Sequence, residues 1–254
     1  MTNRQLDALD ESFLSEIFST QDESSRCLHA LTKFARQTSD PFLVTGGLAI
    51  QWHLLRHVVH IERRHFNDID LVIQDASCLP SSLTEQFLVA HYHPFRRSGK
   101  ILMQLADEES GSRIDLLTPY SLSITDRAQP VAIAGKNCGI VAAEDLTARL
   151  LCILFQVVEG KTVDPKYYEA FTRLAGITDM ECVAAIWRAY RDERHPEDAF
   201  EAVTKVHEGV ATNSHLLRPD VYSQAIDEGC QWCHSSEVFP LAPAAKIHQV
   251  WGYV

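Results

Sequence analysis

Long apolar runs are missing from this chain of 254 residues, and that absence excludes the most. The best candidate, Leu150 to Val158, falls far short of the roughly 18 apolar residues that a membrane-spanning helix requires. The opening Met1-Thr2-Asn3-Arg4-Gln5-Leu6-Asp7 lacks the basic and apolar regions of a signal peptide. A disulfide framework is missing too. The seven cysteines are scattered and odd in number, which fits a reducing compartment and an expected cytoplasmic location. Positive charge is scarce: 23 Lys and Arg against 34 Asp and Glu leave a formal net charge of −11. Broad, sequence-independent binding to duplex DNA relies on many cationic contacts to phosphate, so that class is set aside. A nucleotide or an RNA end held in a locally basic cleft is not excluded. Two local basic clusters exist, Arg63-Arg64-His65 and Arg96-Arg97-Ser98-Gly99-Lys100.

What is present is an ordinary globular composition, 46% apolar and 22% charged, in a chain long enough for one large or two modest domains. Leu6, Leu9, Phe13, Leu14, Ile17 and Phe18 fall at helical spacing, and so do Cys27, Leu28, Leu31 and Phe34 within Ser25 to Arg36. Asp40-Pro41 breaks that pattern and opens a short strand, Phe42-Leu43-Val44, closed by Gly46-Gly47 and a helix from Leu48 to Val58. A strand is expected at Asp68 to Ile73, a helix from about Leu83 to His91, and extended segments near Phe95 to Arg97 and Ile101 to Ala106. Arg113 to Leu117 reads as another strand, and Val131 to Ala134 with Cys138 to Val141 as a hairpin around Gly135-Lys136-Asn137. The pattern then changes. Helices are expected at Ala143 to Val158, Pro165 to Leu174, Thr178 to Arg191, Pro196 to His207 and Pro219 to Cys230. No internal repeat or low-complexity linker interrupts the chain. The expected fold class is therefore α+β (α/β): a small mixed β-sheet core with flanking helices over 1–142, followed by a C-terminal helical bundle over 143–254.

Asp68-Ile69-Asp70 is the most informative phrase. Carboxylates at i and i+2 of a strand share one face, opposite the buried face of Ile69, Leu71 and Ile73. Two ionised acids so close repel unless a cation neutralises them, and hard oxygen ligands suit Mg²⁺. Asp115, amid the apolar neighbours of Arg113-Ile114-Asp115-Leu116-Leu117, is expensive to bury unless it is paired or metal-bound. Three such acids on neighbouring strands would hold two Mg²⁺ ions, one on a nucleoside triphosphate and one lowering the pKa of an attacking hydroxyl. Asp115 is also the expected proton acceptor. Gly46-Gly47 supplies the other half. Without Cβ atoms the backbone can approach phosphate closely, and the following helix aims its N-terminal amides at the same place. Thr45 adds a hydroxyl.

Thr45-Gly46-Gly47-Leu48-Ala49 followed by Asn67-Asp68-Ile69-Asp70-Leu71 resembles the Gly-Gly … Asp-x-Asp signature of the polymerase-beta-like nucleotidyltransferase superfamily. Within it the chain is most similar to the abortive-infection toxin (AbiEii-like) and related minimal nucleotidyltransferases. Asp115 matches their third acid, Ala143-Glu144-Asp145-Leu146 the phrase that begins their helical domain, and Lys161 to Lys166 loosely a later helix start. The resemblance covers roughly residues 40 to 175. It implies transfer of a nucleoside monophosphate from an NTP, with pyrophosphate released and Mg²⁺ required. It implies metal ligation by Asp68, Asp70 and Asp115. Nucleotide contact is implied for Thr45, Gly46, Gly47, Arg63, Arg64 and Lys161.

The implied partners are an NTP, an acceptor that is RNA, protein or a small molecule, and an antitoxin protein if the chain is the toxin of a toxin–antitoxin pair. Two other readings stand beside this one. One is a non-catalytic nucleotide-binding or partner-regulated module on the same fold; the other is an antibiotic-modifying nucleotidyltransferase, for which Asp107, Glu108 and Glu109 would face an aminated drug. Cys230-Gln231-Trp232-Cys233-His234 matches the haem-attachment spacing, but covalent haem attachment normally needs export. Idle thiols are the expected account. Of the histidines near the site, His57, His60 and His65, the last is the best candidate for a site contact.

Overall fold

The computed structural model describes residues 7–57, 63–66, 68–94, 99–219 and 236–252. Among them, 7–51, 63–141 and 236–252 form one compact unit, and 52–57 with 142–219 form a second.

The first unit is built on an eight-stranded mixed sheet. In chain order the strands are β1 (Asp7–Ala8), β2 (Leu43–Val44), β3 (Ile69–Val72), β4 (Leu88–Tyr92), β5 (Ile101–Ala106), β6 (Arg113–Leu117), β7 (Gln129–Ile133) and β8 (Lys136–Ile140). Their order across the sheet is β1-β7-β8-β2-β3-β6-β5-β4. The three segments that carry the Gly-Gly, Asp-x-Asp and third-acid phrases therefore lie side by side at its centre. β3 runs antiparallel to β2 and parallel to β6, and the register sets Asp70 directly beside Asp115. Two N-terminal helices, α1 (Glu11–Ile17) and α2 (Gln21–Gln37), join this unit. Thr20 and Glu23 close a reciprocal capping box at the start of α2, and Cys27, Ala30, Leu31 and Phe34 are buried along it. Helix α3 (Gly46–Arg56) follows β2 directly, and a single turn, α4 (Ile124–Arg127), precedes the β7–β8 hairpin.

The second unit packs α6 (Pro165–Ala175), α7 (Met180–Trp187) and α8 (Ala199–Thr212) around the apolar α5 (Ala143–Val158). Asp164, Asp179 and Asp198 each cap the helix that follows, accepting a backbone amide of its first turn. Their spacing makes the segmentation of this half readable from sequence. No described helix is long and apolar enough to cross a membrane.

The expected mixed α/β architecture is the one observed. Three local expectations are corrected. Leu83 to His91 is not a helix: a 3₁₀ turn at Ser81–Glu85 leads into β4, an edge strand whose Val89 to Tyr92 are buried by pairing with β5. A short apolar run carries no period of its own, so the neighbouring strand decides. Asp7 and Ala8 pair with β7 instead of starting a helix. The C-terminal segment, assigned from sequence to the helical half, instead returns to the sheet as α9 (Ala244–Trp251), with Ile247 packed against Ala90 and Ala106. Phe95 to Arg97 and almost all of Pro219 to Cys230 lie outside the described residues, as do Cys233, His234 and His60.

Candidate active site

Asp68, Asp70 and Asp115 each offer a carboxylate oxygen, and these oxygens lie within 4.8 Å of one another. Strand alternation explains the meeting. Asp68 and Asp70 point to one face of β3, Asp115 to the same face of β6, and the parallel register brings them level. Three hard oxygen donors with a formal charge of −3 are a suitable set for a divalent cation such as Mg²⁺. Carboxylates alone form this cluster, with no thiol or imidazole that would favour a softer metal.

Asp115 is buried at 2% exposure and does not stand unattended. The Arg113 guanidinium donates from Nε to Oδ1 at 2.7 Å and from Nη2 to Oδ2 at 2.6 Å, the two-pronged geometry that suits a carboxylate. Gln104, opposite Asp115 across the β5–β6 pair, donates Nε2 to Oδ1 at 3.2 Å. Burial pushes the Asp115 carboxyl above its usual range; Arg113 pulls it back, the nearby Asp68 charge adds to the rise, and the net direction is upward. A carboxylate has about four acceptor positions. Three are taken here, so the two duties expected of Asp115, ion ligand and proton acceptor, draw on the one that remains at Oδ2.

Gly46 backs directly onto this cluster. Its φ is +59°, in the left-handed region, and a Cβ built there would stand 1.9 Å from Oδ2 of Asp70. Only glycine lets the β2–α3 turn pass so close behind the acid. The Thr45 amide, one residue earlier, donates to the Asp70 carbonyl at 2.9 Å. The Thr45 hydroxyl is buried and makes no hydrogen bond among the described residues, an orphaned polar atom beside a helix start. A Cβ on Gly47 would meet Nη2 of Arg64 at 2.8 Å and the Phe66 ring at 2.9 Å. Arg64 lies over that ring, its guanidinium carbon 4.7 Å from the centroid. Its backbone is pinned to the end of α1, with its amide donating to the Ile17 carbonyl at 3.1 Å. The basic side chain at the glycine turn is thus Arg64. Arg63 is exposed, and the atom nearest a Cβ on Gly47 belongs to Arg64.

The remaining expected residues have the following surroundings. Lys161 belongs to the second unit, where its ammonium pairs with Glu159 at 2.7 Å. His65 is exposed and pairs with Glu23. His57 bonds the His53 carbonyl at 2.9 Å. A small cleft opens beside Asp68, lined among others by Phe18, Glu23, Arg26, Phe66 and Arg113. Gln104 and Arg113 were not expected at the site. The one sequence signal for Arg113 is a basic residue two places before Asp115, hence on the same strand face.

No protein-family model and no curated protein sequence matches the chain. Solved structures with partial likeness include the antibiotic-resistance factor ANT(2'')-Ia, at 15% identity and a TM-score of 0.43, covering 74% of this chain and 98% of that one. Another is an antigenic nucleotidyltransferase-like protein from Paracoccidioides brasiliensis, at 14% identity and a TM-score of 0.42, covering 76% of this chain and 91% of that one.

Proposed function

We propose that this chain is a Mg²⁺-dependent nucleotidyltransferase that moves a nucleoside monophosphate from an NTP to an acceptor. The observation that carries the reading is the convergence of Asp68, Asp70 and Asp115 on a left-handed glycine that closes against Asp70. An acidic cluster on its own would be ambiguous. A side-chain-free turn with an arginine beside it, at the same place, supports a phosphate-bearing ligand.

In this reading the three aspartates hold the metal. When bound, it neutralises phosphate charge and lowers the pKa of the attacking hydroxyl. Gly46 and Gly47 let the triphosphate lie against the start of α3, Arg64 contributes positive charge to it, and the Thr45 hydroxyl gains the partner it lacks. The acceptor oxygen forms its bond to the α-phosphorus, the bond to the bridging oxygen breaks in line, and pyrophosphate departs. Asp115 serves as ligand, with the acceptor's proton passing to water, because Arg113 and Gln104 leave it a single acceptor position. Arg63, which is exposed, is given no part in the chemistry.

The finer role belongs to the same proposal: the acceptor is RNA, a protein or a small molecule, and the chain acts as the toxin of a toxin–antitoxin pair. The test is transfer of label from α-³²P NTPs with Mg²⁺ to total RNA, total protein and small acceptors. Wild type labels one acceptor class and Asp70→Asn labels none. If both proteins are equally inert and neither binds an NTP, the reading is wrong. Growth arrest on induction, absent in Asp70→Asn, separates a toxin from a housekeeping enzyme.

A further inference from the structure

The C-terminal helix packs on the same sheet face as the three aspartates. The alternation of β5 and β6 establishes this: Ala106 stands opposite Arg113 and Gln104 opposite Asp115, so all four side chains share one face. Ala106 and Ala90 on that face pack against Ile247, with Val250 and Trp251 beside them. Lys246 fixes the start of the helix to the β5–β6 turn through Glu108 at 2.8 Å. At its other end the Trp251 ring stacks on the guanidinium of Arg113, 5.2 Å from ring centroid to guanidinium carbon.

A relay of contacts follows, from Trp251 to Arg113 to Asp115. The flat guanidinium can bond both oxygens of Asp115 only while it lies in the carboxylate plane, and the indole face limits how far it can tilt. With Oδ1 accepting from both Arg113 and Gln104, rotation of the carboxylate would break two or three hydrogen bonds at once. We propose that Arg113 is the positioning residue for the third carboxylate and that Trp251 of the C-terminal helix holds Arg113 in that pose. The C-terminal helix is then part of the metal site although it supplies no ligand. Arg113 acts through Asp115 and touches no reacting atom.

This inference rests on the metal-binding reading of the cluster, and the experiment separates the two. The full-length chain is titrated with Mn²⁺ alone, followed by electron paramagnetic resonance, with thermal melts run alongside. Arg113→Lys keeps the charge and loses the fork, and its Mn²⁺ affinity falls about tenfold. Trp251→Leu weakens Mn²⁺ about threefold to tenfold, while Trp251→Phe, which restores an aromatic plate, stays within about twofold of wild type. Asp115→Asn marks the full loss of the third ligand. Wild-type affinity in both Arg113→Lys and Trp251→Leu overturns the inference and leaves the metal site standing. A wild-type chain that binds no Mn²⁺ and transfers no nucleotide overturns the metal reading itself. Should Arg113→Lys fail to fold, the contrast between Trp251→Leu and Trp251→Phe decides, since equal affinities in that pair refute the relay.

Discussion

Two clusters of acidic residues lie among the described residues of the sheet unit, and they differ in what stands beside them. Asp68, Asp70 and Asp115 form the first; His29, Asp107 and Glu109 form the second, whose ligand atoms also lie within 4.8 Å of one another. In the second cluster Lys33 already stands where a cation would. Its ammonium is 2.7 Å from Asp107 and 3.1 Å from Glu109, and His29 lies 2.8 Å from Glu109. In the first cluster the Arg113 guanidinium sits to one side, on Asp115, and a left-handed glycine closes against Asp70. A built-in lysine marks the second cluster and a glycine turn the first; proximity of carboxylates does not separate them. The Lys33 cluster fastens α2 to the β5–β6 turn.

The sharpest way to break this comparison is to ask which cluster holds a divalent ion. Asp70→Asn is expected to abolish Mn²⁺ binding and to lower nucleotide transfer by about a thousandfold or more, roughly 4 kcal/mol of transition-state stabilisation. His29→Ala is expected to leave both within about twofold. Mn²⁺ lost in His29→Ala and kept in Asp70→Asn would invert the assignment.

The next test removes the built-in cation. Asp107 is fully buried and Lys33 nearly so, with 14% of its side chain exposed, so Lys33→Met leaves an acid uncompensated. We expect a loss of about 3 kcal/mol, at the low end for a buried pair because Lys33 keeps some contact with water. That corresponds to a melting point lowered by roughly 6–12 °C. The same substitution makes the cluster cation-seeking, and Zn²⁺ is expected to recover part of the loss in Lys33→Met while leaving wild type unchanged. A melt that Zn²⁺ does not shift would show that geometry, and not charge alone, separates the clusters.

Much of this contrast can be read in the chain, and the unreadable part has a physical cause. Asp68, Asp70 and Asp115 are legible as a group because strand alternation assigns each to a face and acids on apolar strands stand out. Gly46 is legible because a helix rarely opens on two glycines without need of their backbone freedom. Arg113 was not, since its partner across the face, Trp251, lies 138 positions further along and only the folded chain joins them. Lys33 and Asp107 are hidden for the same reason. The edge strand β4 escaped because burial by β5, not periodicity, decides its state. Arg63 and Arg64 could not be told apart by type; the bridge between Phe18 and Arg64 selects one of them.

The clusters should also respond to pH with opposite signs. Burial pushes the Asp107 carboxyl up, but hydrogen bonds from Lys33 and Ser110 outweigh it and hold it below the usual range. Its contribution to stability is therefore present above the unfolded value of about 4 and lost as pH falls through the depressed folded value. Asp115 is raised, so folding favours its protonated form. Its charge costs stability increasingly as pH rises from about 4 through the folded value. Urea melts between pH 3 and 7 are expected to show the deficit of Asp107→Asn shrinking towards acid. Asp115→Asn should gain on wild type as pH rises in the absence of divalent metal. Parallel slopes for the two variants would refute the contrast.

The smallest effect belongs to the rim of the lysine cluster. Glu109 is 65% exposed, so water screens its pairs with His29 and Lys33, while Asp107 keeps its bond to Lys33 whether or not Glu109 is charged. Glu109→Gln is expected to shift the melting point by no more than about 2 °C and to leave Mn²⁺ binding unchanged. At 1 M salt, where the screening length is about 3 Å, the variant and wild type should coincide. A fall as large as that of Lys33→Met would mean that Glu109, not the buried Asp107, anchors the lysine. The built-in cation that distinguishes the second cluster would then be held by its exposed acid.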